Sequence, residues 1–390
     1  MVANRQKFGS VLRVLFLCND LPYFMAHRSS IANALLELGF HVSVCAGGDS
    51  ASASELPVGV DFYSSNIDKQ GYNIVSELRY LLYIFRLFRV LKPDAIHTIT
   101  IKPNMYGAFA VALLRIFGSQ SPRLIMTFPG LGKLFEAKSG IALQALQRIG
   151  RTCLKWAAKN VDYRATFENY KDRDFMVANG IFDLDRTFIT YGAGIDTSVF
   201  VPPSIPRSGP LVFLFASRLI TSKGIGVFIE AARSRKKNGS NAGFLVAGPM
   251  ETSNPDCFDP KALERAITEN IIEYRGNLPV SAMPDLLQSV DVMCLPTQLA
   301  EGFPRILIEA AACGNAMLAS RMASVAQIIK DGETGFMINP STKTDLIKRM
   351  LEMESQPDNA RSMGANAAQL VRQMLADEEQ VNEVFISLYQ

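Results

Sequence analysis

The sequence predicts an α/β protein built from two doubly wound, Rossmann-like domains that face each other across a cleft. Three observations predict it. Short β-branched runs alternate with longer helical patterns, the signature of βαβ units and a parallel sheet. The rhythm restarts after "YGAGIDTSVFVPPSIPRSGP" (191–210), a stretch rich in Gly, Pro and Ser that marks a linker. The chain is also long enough for two cores, with 390 residues of which 48% are hydrophobic and 20% charged.

In the first half, "VLRVLFLC" (11–18) reads as a buried strand and "RSSIANALLELG" (28–39) as a helix ending at Gly39. The strands "HVSVCAG" (41–47), "DAIHTIT" (94–100), "RLIMTF" (123–128), "DYRATF" (162–167) and "TFITYG" (187–192) follow, with helical segments between most of them. The second half repeats the pattern with "LVFLFAS" (211–217), "GFLVAGP" (243–249), "IIEYRG" (271–276), "DVMCLPT" (291–297) and "AMLASR" (316–321). The domain boundary is placed at 195/196, giving an N-terminal domain over 1–195 and a C-terminal domain over 196–374. In such sheets ligands bind beyond the carboxyl ends of the strands.

The totals exclude several function classes. A net charge of +3 is too small for a nucleic-acid-binding protein. The six cysteines are scattered without metal-like spacing, which favours buried free thiols in a reducing compartment. The apolar run of "MVANRQKFGSVLRVLFLC" is short, contains Arg13 and lacks a small-residue cleavage site, so it reads as a first strand rather than a signal peptide. No segment offers about 20 uninterrupted apolar residues for a membrane span. A cytoplasmic location is therefore expected.

The candidate chemistry lies in the second half. "ASRLITSKGI" puts Arg218 and Lys223 in a loop between a strand and a helix, where two fixed cations suit a phosphate or diphosphate. "CLPTQLAEGFPRILIEA" ends a later strand. Pro304 suits the first turn of the helix that follows. Backbone N–H groups around Gly302, Phe303 and Arg305 can face an anion. Glu301 sits on the loop and can accept from hydroxyls. Glu309 falls in an otherwise apolar run, where a carboxylate needs a partner or a ligand. Eight residues advance ~80° around a helix, so the two glutamates stay on similar sides. A carboxylate in a helix wall suits a ribose diol, and the set reads as a nucleotide-sugar site.

These residues resemble the E-x7-E motif and the donor-diphosphate Arg and Lys of the retaining glycosyltransferases of family GT4, which have the GT-B fold. "YGAGIDTSVF" (191–200) resembles that family's interdomain Gly-x-Gly-Val-Asp segment, and "VAGP" (246–249) and "DGETGF" (331–336) also fit. The resemblance implies that Arg218 and Lys223 stabilise the leaving diphosphate, Glu301 holds donor-sugar hydroxyls and Glu309 binds the ribose. It implies that the loop 275–278, with Arg275 and Asn277, borders the base through its backbone. Metal and cofactor are expected to be absent. The final helix, 375–390, is expected to pack back on the first domain.

"YFMAHRSSIANALLELGFHVSV" and "HTITIKPNMYGAFAVALLR" are similar to a branch that transfers sugars onto polyprenyl-diphosphate-linked acceptors in bacterial O-antigen, capsule or glycan synthesis. His27, Arg28 and Lys102 fall just past strand ends and would suit such an acceptor; a loop or capping role stands beside that reading for each. Pro129 occupies the position where many family members carry a sugar-contacting histidine. Either His27 or a backbone group substitutes, or that contact is absent. His97 lies in a strand and reads as a core or cleft-edge residue. Asp172-Arg173-Asp174 mimics a DxD metal site, but Asn169 three residues ahead of Asp172 reads as a helix cap.

In "YNIVSELRYLLYIFRLFRVLKP" (72–93), Ile74, Leu78, Leu81, Phe85 and Phe88 follow helical spacing and suit burial. Arg79, Arg86 and Arg89 cluster on another side beside Leu82 and Tyr83. Two readings stand: a buried helix with snorkelling arginines, or a basic, aromatic surface at the inner face of the membrane.

The reaction the resemblance implies is transfer of a hexosyl or N-acetylhexosaminyl group, with retention, from a nucleoside-diphosphate sugar, UDP-linked by the subfamily resemblance with a GDP-linked donor as the other reading. A sugar-nucleotide 2-epimerase of the same fold and a catalytically silent sugar-nucleotide-binding partner are the alternatives.

Overall fold

The computed structural model describes residues 11–48, 52–65, 67, 74–118, 122–131, 141–299, 302–322, 324–339, 342–374 and 376–389. Two compact units emerge, Met1–Ala193 with Glu379–Gln390, and Gly194–Glu378.

The first unit holds a seven-stranded parallel sheet of order β3-β2-β1-β4-β5-β6-β7. Its strands are β1 (Arg13–Asp20), β2 (His41–Gly47), β3 (Val60–Ser64), β4 (Ala95–Ile99), β5 (Arg123–Phe128), β6 (Tyr163–Phe167) and β7 (Thr187–Ile189). The central strands are buried on both faces, so they read as continuous apolar runs. Helices α2 (Ile74–Leu91), α3 (Ile101–Ile116), α4 (Ile141–Lys159) and α5 (Tyr170–Ala178) contribute to one apolar cluster with the sheet. Helix α1 (Leu21–Glu37) and the last helix, α12 (Glu378–Tyr389), contribute to the other. Val381, Phe385, Leu388 and Tyr389 carry the apolar face of α12 into that cluster.

The second unit holds a six-stranded parallel sheet of order β10-β9-β8-β11-β12-β13. Its strands are β8 (Val212–Ala216), β9 (Gly243–Ala247), β10 (Glu273–Tyr274), β11 (Val292–Leu295), β12 (Ala316–Ser320) and β13 (Gly335–Ile338). The helices are α6 (Ile225–Lys237), α7 (Pro260–Thr268), α8 (Met283–Gln288), α9 (Arg305–Ala312), α10 (Lys343–Ser355) and α11 (Pro357–Gln373). The strand order reverses between β8 and β11, and such a switch point opens a crevice at the carboxyl ends of the strands.

The structure departs from the sequence reading in four places. Helix α1 begins at Leu21 rather than residue 28, because the Asp20 carboxylate accepts from the Tyr23 N–H at 2.8 Å and Pro22 stands in the first turn. Strands β3 and β13 are additional; both are short edge strands. Helix α9 opens at Arg305, with Pro304 as its extended N-cap residue. In α2 the buried stripe is Tyr80, Ile84, Leu87 and Phe88, while Leu78 is exposed. That helix is apolar on most of its circumference, so its packing on α3 selects the buried face.

Asn169 does cap α5, accepting from the Asp172 N–H at 2.8 Å. Cys18, Cys45, Cys294 and Cys313 are buried free thiols, whereas Cys153 is exposed and Cys257 half-buried. Among the described residues no helix is long and apolar enough to cross a membrane.

Candidate nucleotide-sugar site

The site is built at the carboxyl ends of the second sheet. Strand β8 ends at Ala216, and Ser217 and Arg218 follow directly. Strand β9 ends at Ala247, and Gly248 brings its backbone against Ser217. A Cβ on Gly248 would lie 1.9 Å from the Ser217 carbonyl oxygen, and its φ of 134° is also one that other residues rarely adopt. This is the physical content of the "VAGP" segment. The Gly248 N–H donates to the Gly276 carbonyl at 2.8 Å, fastening the 275–278 loop beside the same strand end.

A pocket of about 230 Å³ opens there. Ser217, Arg218, Pro249, Asn277, Met283 and Ile306 are among its walls, so four separate stretches of chain converge on it. Ile306 lies in the first turn of α9.

The loop after β8 is held rigidly. Thr221–Lys223 form one 3-10 turn. The Thr221 N–H donates to the Asp256 carbonyl at 2.8 Å, and the Ser222 N–H and hydroxyl both donate to the Asp256 carboxylate. Gly224 then opens α6 at φ 86°, where a Cβ would sit 2.1 Å from the Pro296 carbonyl oxygen. The Gln298 N–H donates to the Ser222 carbonyl at 2.8 Å. The loop bearing Arg218 and Lys223 is thus tied to the loop that leaves β11, although about 75 residues separate them in sequence.

Arg218 is half exposed, with a guanidinium nitrogen 3.5 Å from the Glu251 carboxylate. Glu309 is 6% exposed, and its Oε1 accepts from Arg305 Nε at 2.8 Å. Burial pushes the Glu309 carboxyl above the usual range, and the Arg305 guanidinium opposes that shift. The i, i+4 spacing therefore supplies the partner that a buried carboxylate in α9 requires. Phe303 is buried just ahead of the helix, and Gly302 precedes it. Glu301 lies outside the described residues. The Arg275 side chain is directed to Glu273, at 2.9 Å, which leaves the loop's backbone and Asn277 as its contribution to the site.

The N-terminal candidates are placed differently. His27 lies in the second turn of α1, its ring packed on Tyr23 with centroids 4.4 Å apart. Arg28 is 2% exposed. Its guanidinium donates to the His27 carbonyl at 2.8 Å and the Gly192 carbonyl at 3.3 Å, reaches Glu168 at 3.5 Å and lies over the Phe385 ring. Arg28 therefore stands within α1, which starts about two turns before it, rather than in a loop past a strand end, and its charge is engaged inside the first unit. Lys102, in the first turn of α3, is 2.6 Å from Glu77 in a largely buried pair. Pro129 follows β5 and is half-buried. Among the described residues no group of three or more His, Cys, Asp or Glu is arranged to hold a metal.

Asp256, Glu251 and the Gly248–Gly276 bond were not evident from sequence. Asp256 and Glu251 act through partners more than 30 residues away, and no local pattern marks them.

Comparison with solved structures identifies the architecture as GT-B. The Anabaena protein Alr3699/HepE, in complex with UDP and glucose, superposes with a TM-score of 0.72 at 17% identity, covering 96% of this chain and 98% of that one. A glycosyltransferase from Rickettsia africae gives 0.74 at 16% identity, covering 97% and 98%. The family model "Glycosyl transferases group 1" matches residues 201–370, and "Glycosyl transferase 4-like" matches 13–163. The chain belongs to the GT4-type glycosyltransferases and is an enzyme of that class. A Campylobacter jejuni relative is 23% identical over 97% of this chain and 98% of its own. It is named N,N'-diacetylbacillosaminyl-diphospho-undecaprenol alpha-1,3-N-acetylgalactosaminyltransferase. A putative colanic acid biosynthesis glycosyltransferase, WcaL of Salmonella typhimurium, is 26% identical over about half of each chain.

Proposed function

We propose that the protein moves a hexosyl or N-acetylhexosaminyl group, with retention, from a UDP-sugar to a hydroxyl of a polyprenyl-diphosphate-linked sugar in bacterial surface-glycan synthesis. The observation that carries this reading is the pocket at the ends of β8 and β9, where Arg218, the 275–278 loop and the start of α9 meet. Its walls suit a nucleoside diphosphate: a backbone-lined edge for the base, a guanidinium for the diphosphate, and a helix beginning close by. The name of the C. jejuni relative supports a diphospho-undecaprenol-linked acceptor.

In the proposed reaction Arg218 and Lys223 hold the β-phosphate as the anomeric C–O bond breaks. The acceptor hydroxyl attacks from the face the diphosphate leaves. A new C–O bond forms, and the acceptor proton passes to the departing diphosphate oxygen, so UDP leaves and no protein nucleophile is consumed. Glu301 would fix the sugar hydroxyls. Glu309 Oε1 is engaged by Arg305, and its Oε2 would accept from the ribose diol. Rate enhancement would rest on positioning and on stabilising the leaving group.

The test is nucleotide release from UDP- and GDP-sugars, with and without a polyprenyl-diphosphate-sugar extract. Release of UDP only in the presence of the lipid fraction is the expected result. Conversion of the sugar nucleotide without release would instead identify an epimerase, and binding without turnover a silent partner.

A further inference from the structure

The second sheet carries another cavity at its opposite end. It has a volume of about 480 Å³ and lies between the stretch 202–207 and helix α11. Arg207 precedes β8 and Gly314 precedes β12, so the cavity sits at the amino ends of the strands, whereas Arg218 stands past their carboxyl ends. The length of β8, about 16 Å at ~3.3 Å per residue, separates the two places.

The walls are fixed by close packing and by hydrogen bonds. A Cβ on Gly364 would lie 2.2 Å from the Gly314 carbonyl oxygen, so α11 presses on the turn before β12. On the other side, Arg207 Nη2 donates to the Gly314 carbonyl at 2.5 Å and the Cys313 carbonyl at 3.2 Å. Arg361 Nε donates to Asp291 at 3.0 Å, and its Nη2 donates to the Gly209 carbonyl at 2.6 Å. The cavity is therefore formed before any ligand arrives.

Its walls hold three arginines, Arg207, Arg361 and Arg372, and no carboxylate. The Asp291 side chain behind them is 3% exposed and already serves Arg361, Arg207 at 3.9 Å and the Val212 N–H. Asp358, 3.5 Å from Arg361, is fully exposed, where water screens its charge. Arg207 Nη1 is buried with no acceptor among the described residues, so donor capacity here exceeds what the protein uses. Arg372, in the last turn of α11, is exposed. Three prolines, with Ala365 and Ala368, make most of the remaining wall rigid and apolar.

We propose that this cavity binds a phosphate monoester with a compact apolar or aromatic body. Guanidinium groups match phosphate oxygens in geometry, and a dianion offsets the local excess of positive charge. The proline and alanine walls would cover a ring. Inorganic phosphate would leave those walls wet, and a carboxylate would bring only one charge. The site stands on the cavity alone and does not depend on the glycosyl transfer proposed above.

The test is calorimetric titration of phenyl phosphate, benzoate and inorganic phosphate into the full chain at pH 7.5, where a phosphate monoester carries nearly two charges. Phenyl phosphate is expected to bind with a Kd on the order of 1 mM, as suits a ligand of its size. Benzoate and inorganic phosphate should each bind about tenfold more weakly, for want of one charge or of the ring. Arg372→Gln should weaken phenyl phosphate binding about tenfold, the loss of one charge-assisted hydrogen bond. Ala365→Phe, which fills the cavity from an exposed helix position, should abolish it. Both variants should keep the wild-type melting temperature, because both positions are exposed. Arg218→Ala should bind phenyl phosphate as wild type does, which separates this cavity from the nucleotide pocket. No binding at about 20 mM phenyl phosphate, far above the expected Kd, overturns the proposal. So does binding lost in Arg218→Ala, or unchanged in either Arg372→Gln or Ala365→Phe. Equal affinity for benzoate or for inorganic phosphate overturns the ligand class.

Discussion

The roles of individual residues here follow from what each side chain already touches. Arg218 and Lys223 lie on one tethered loop at the end of β8, so their charges are positioned before any ligand arrives. Replacing Lys223 by Ala should lower turnover on the order of 100-fold or more, the usual cost of removing one preorganised stabiliser of developing charge. The melting temperature should barely change. Normal turnover in a folded Lys223→Ala protein would remove that residue from the mechanism. Glu309 was legible in the sequence as a problem, a carboxylate in an apolar helix. The answer, Arg305, stands one turn earlier in the same helix. The burial of Arg28 was not legible, because its environment is assembled from Glu168, Gly192 and Phe385, all distant in sequence.

At the scale of elements, the βα rhythm was readable because the central strands of a parallel sheet are buried on both faces and show unbroken apolar runs. Edge strands lack that signal, and β3, which has no fully buried residue and exposes Asp61 and Ser64, escaped for this reason. The face that α2 buries was also illegible, since a helix apolar nearly all round offers several stripes of equal quality. The junction of the β8 and β11 loops makes a sharper claim. Gly224 fits against the Pro296 carbonyl only because it has no Cβ and adopts a positive φ. Gly224→Ala should destabilise the second unit by roughly 2–4 kcal/mol, combining backbone strain with a clash against main chain. Chemical denaturation measures this directly. A cost below about 0.5 kcal/mol, within the range of an ordinary surface substitution, would mean that the junction is not tightly fixed.

For the molecule as a whole, the first unit carries a buried polar network that couples its stability to pH. His97 Nδ1 is 2.5 Å from the Tyr389 hydroxyl, and Nε2 is 2.7 Å from the Thr127 hydroxyl. A neutral imidazole, with one donor and one acceptor, satisfies both. Burial holds the His97 pKa well below 6.5, with the nearby Arg28 charge adding to the shift. The unfolded chain therefore binds a proton near pH 6.5 that the folded chain refuses. Stability from this group is complete above that pH and falls as pH drops through it, by up to about 1.4 kcal/mol per pH unit. Urea denaturation at pH 7.5, 6.5 and 5.5 should show this slope, and His97→Gln should flatten it. An equal slope in the variant would assign the effect to other groups. The same network ties the C-terminal residue Tyr389 of α12 to the centre of the first sheet.

The central claim is that the pocket at the ends of β8 and β9 holds a nucleoside diphosphate. Calorimetric titration of UDP into the wild-type chain, Arg218→Ala and Glu309→Gln tests it most directly. The account predicts one site per chain, with affinity reduced at least tenfold in each variant, as loss of a charge-assisted hydrogen bond requires. Absence of UDP binding, or equal affinity in all three folded proteins, would contradict it.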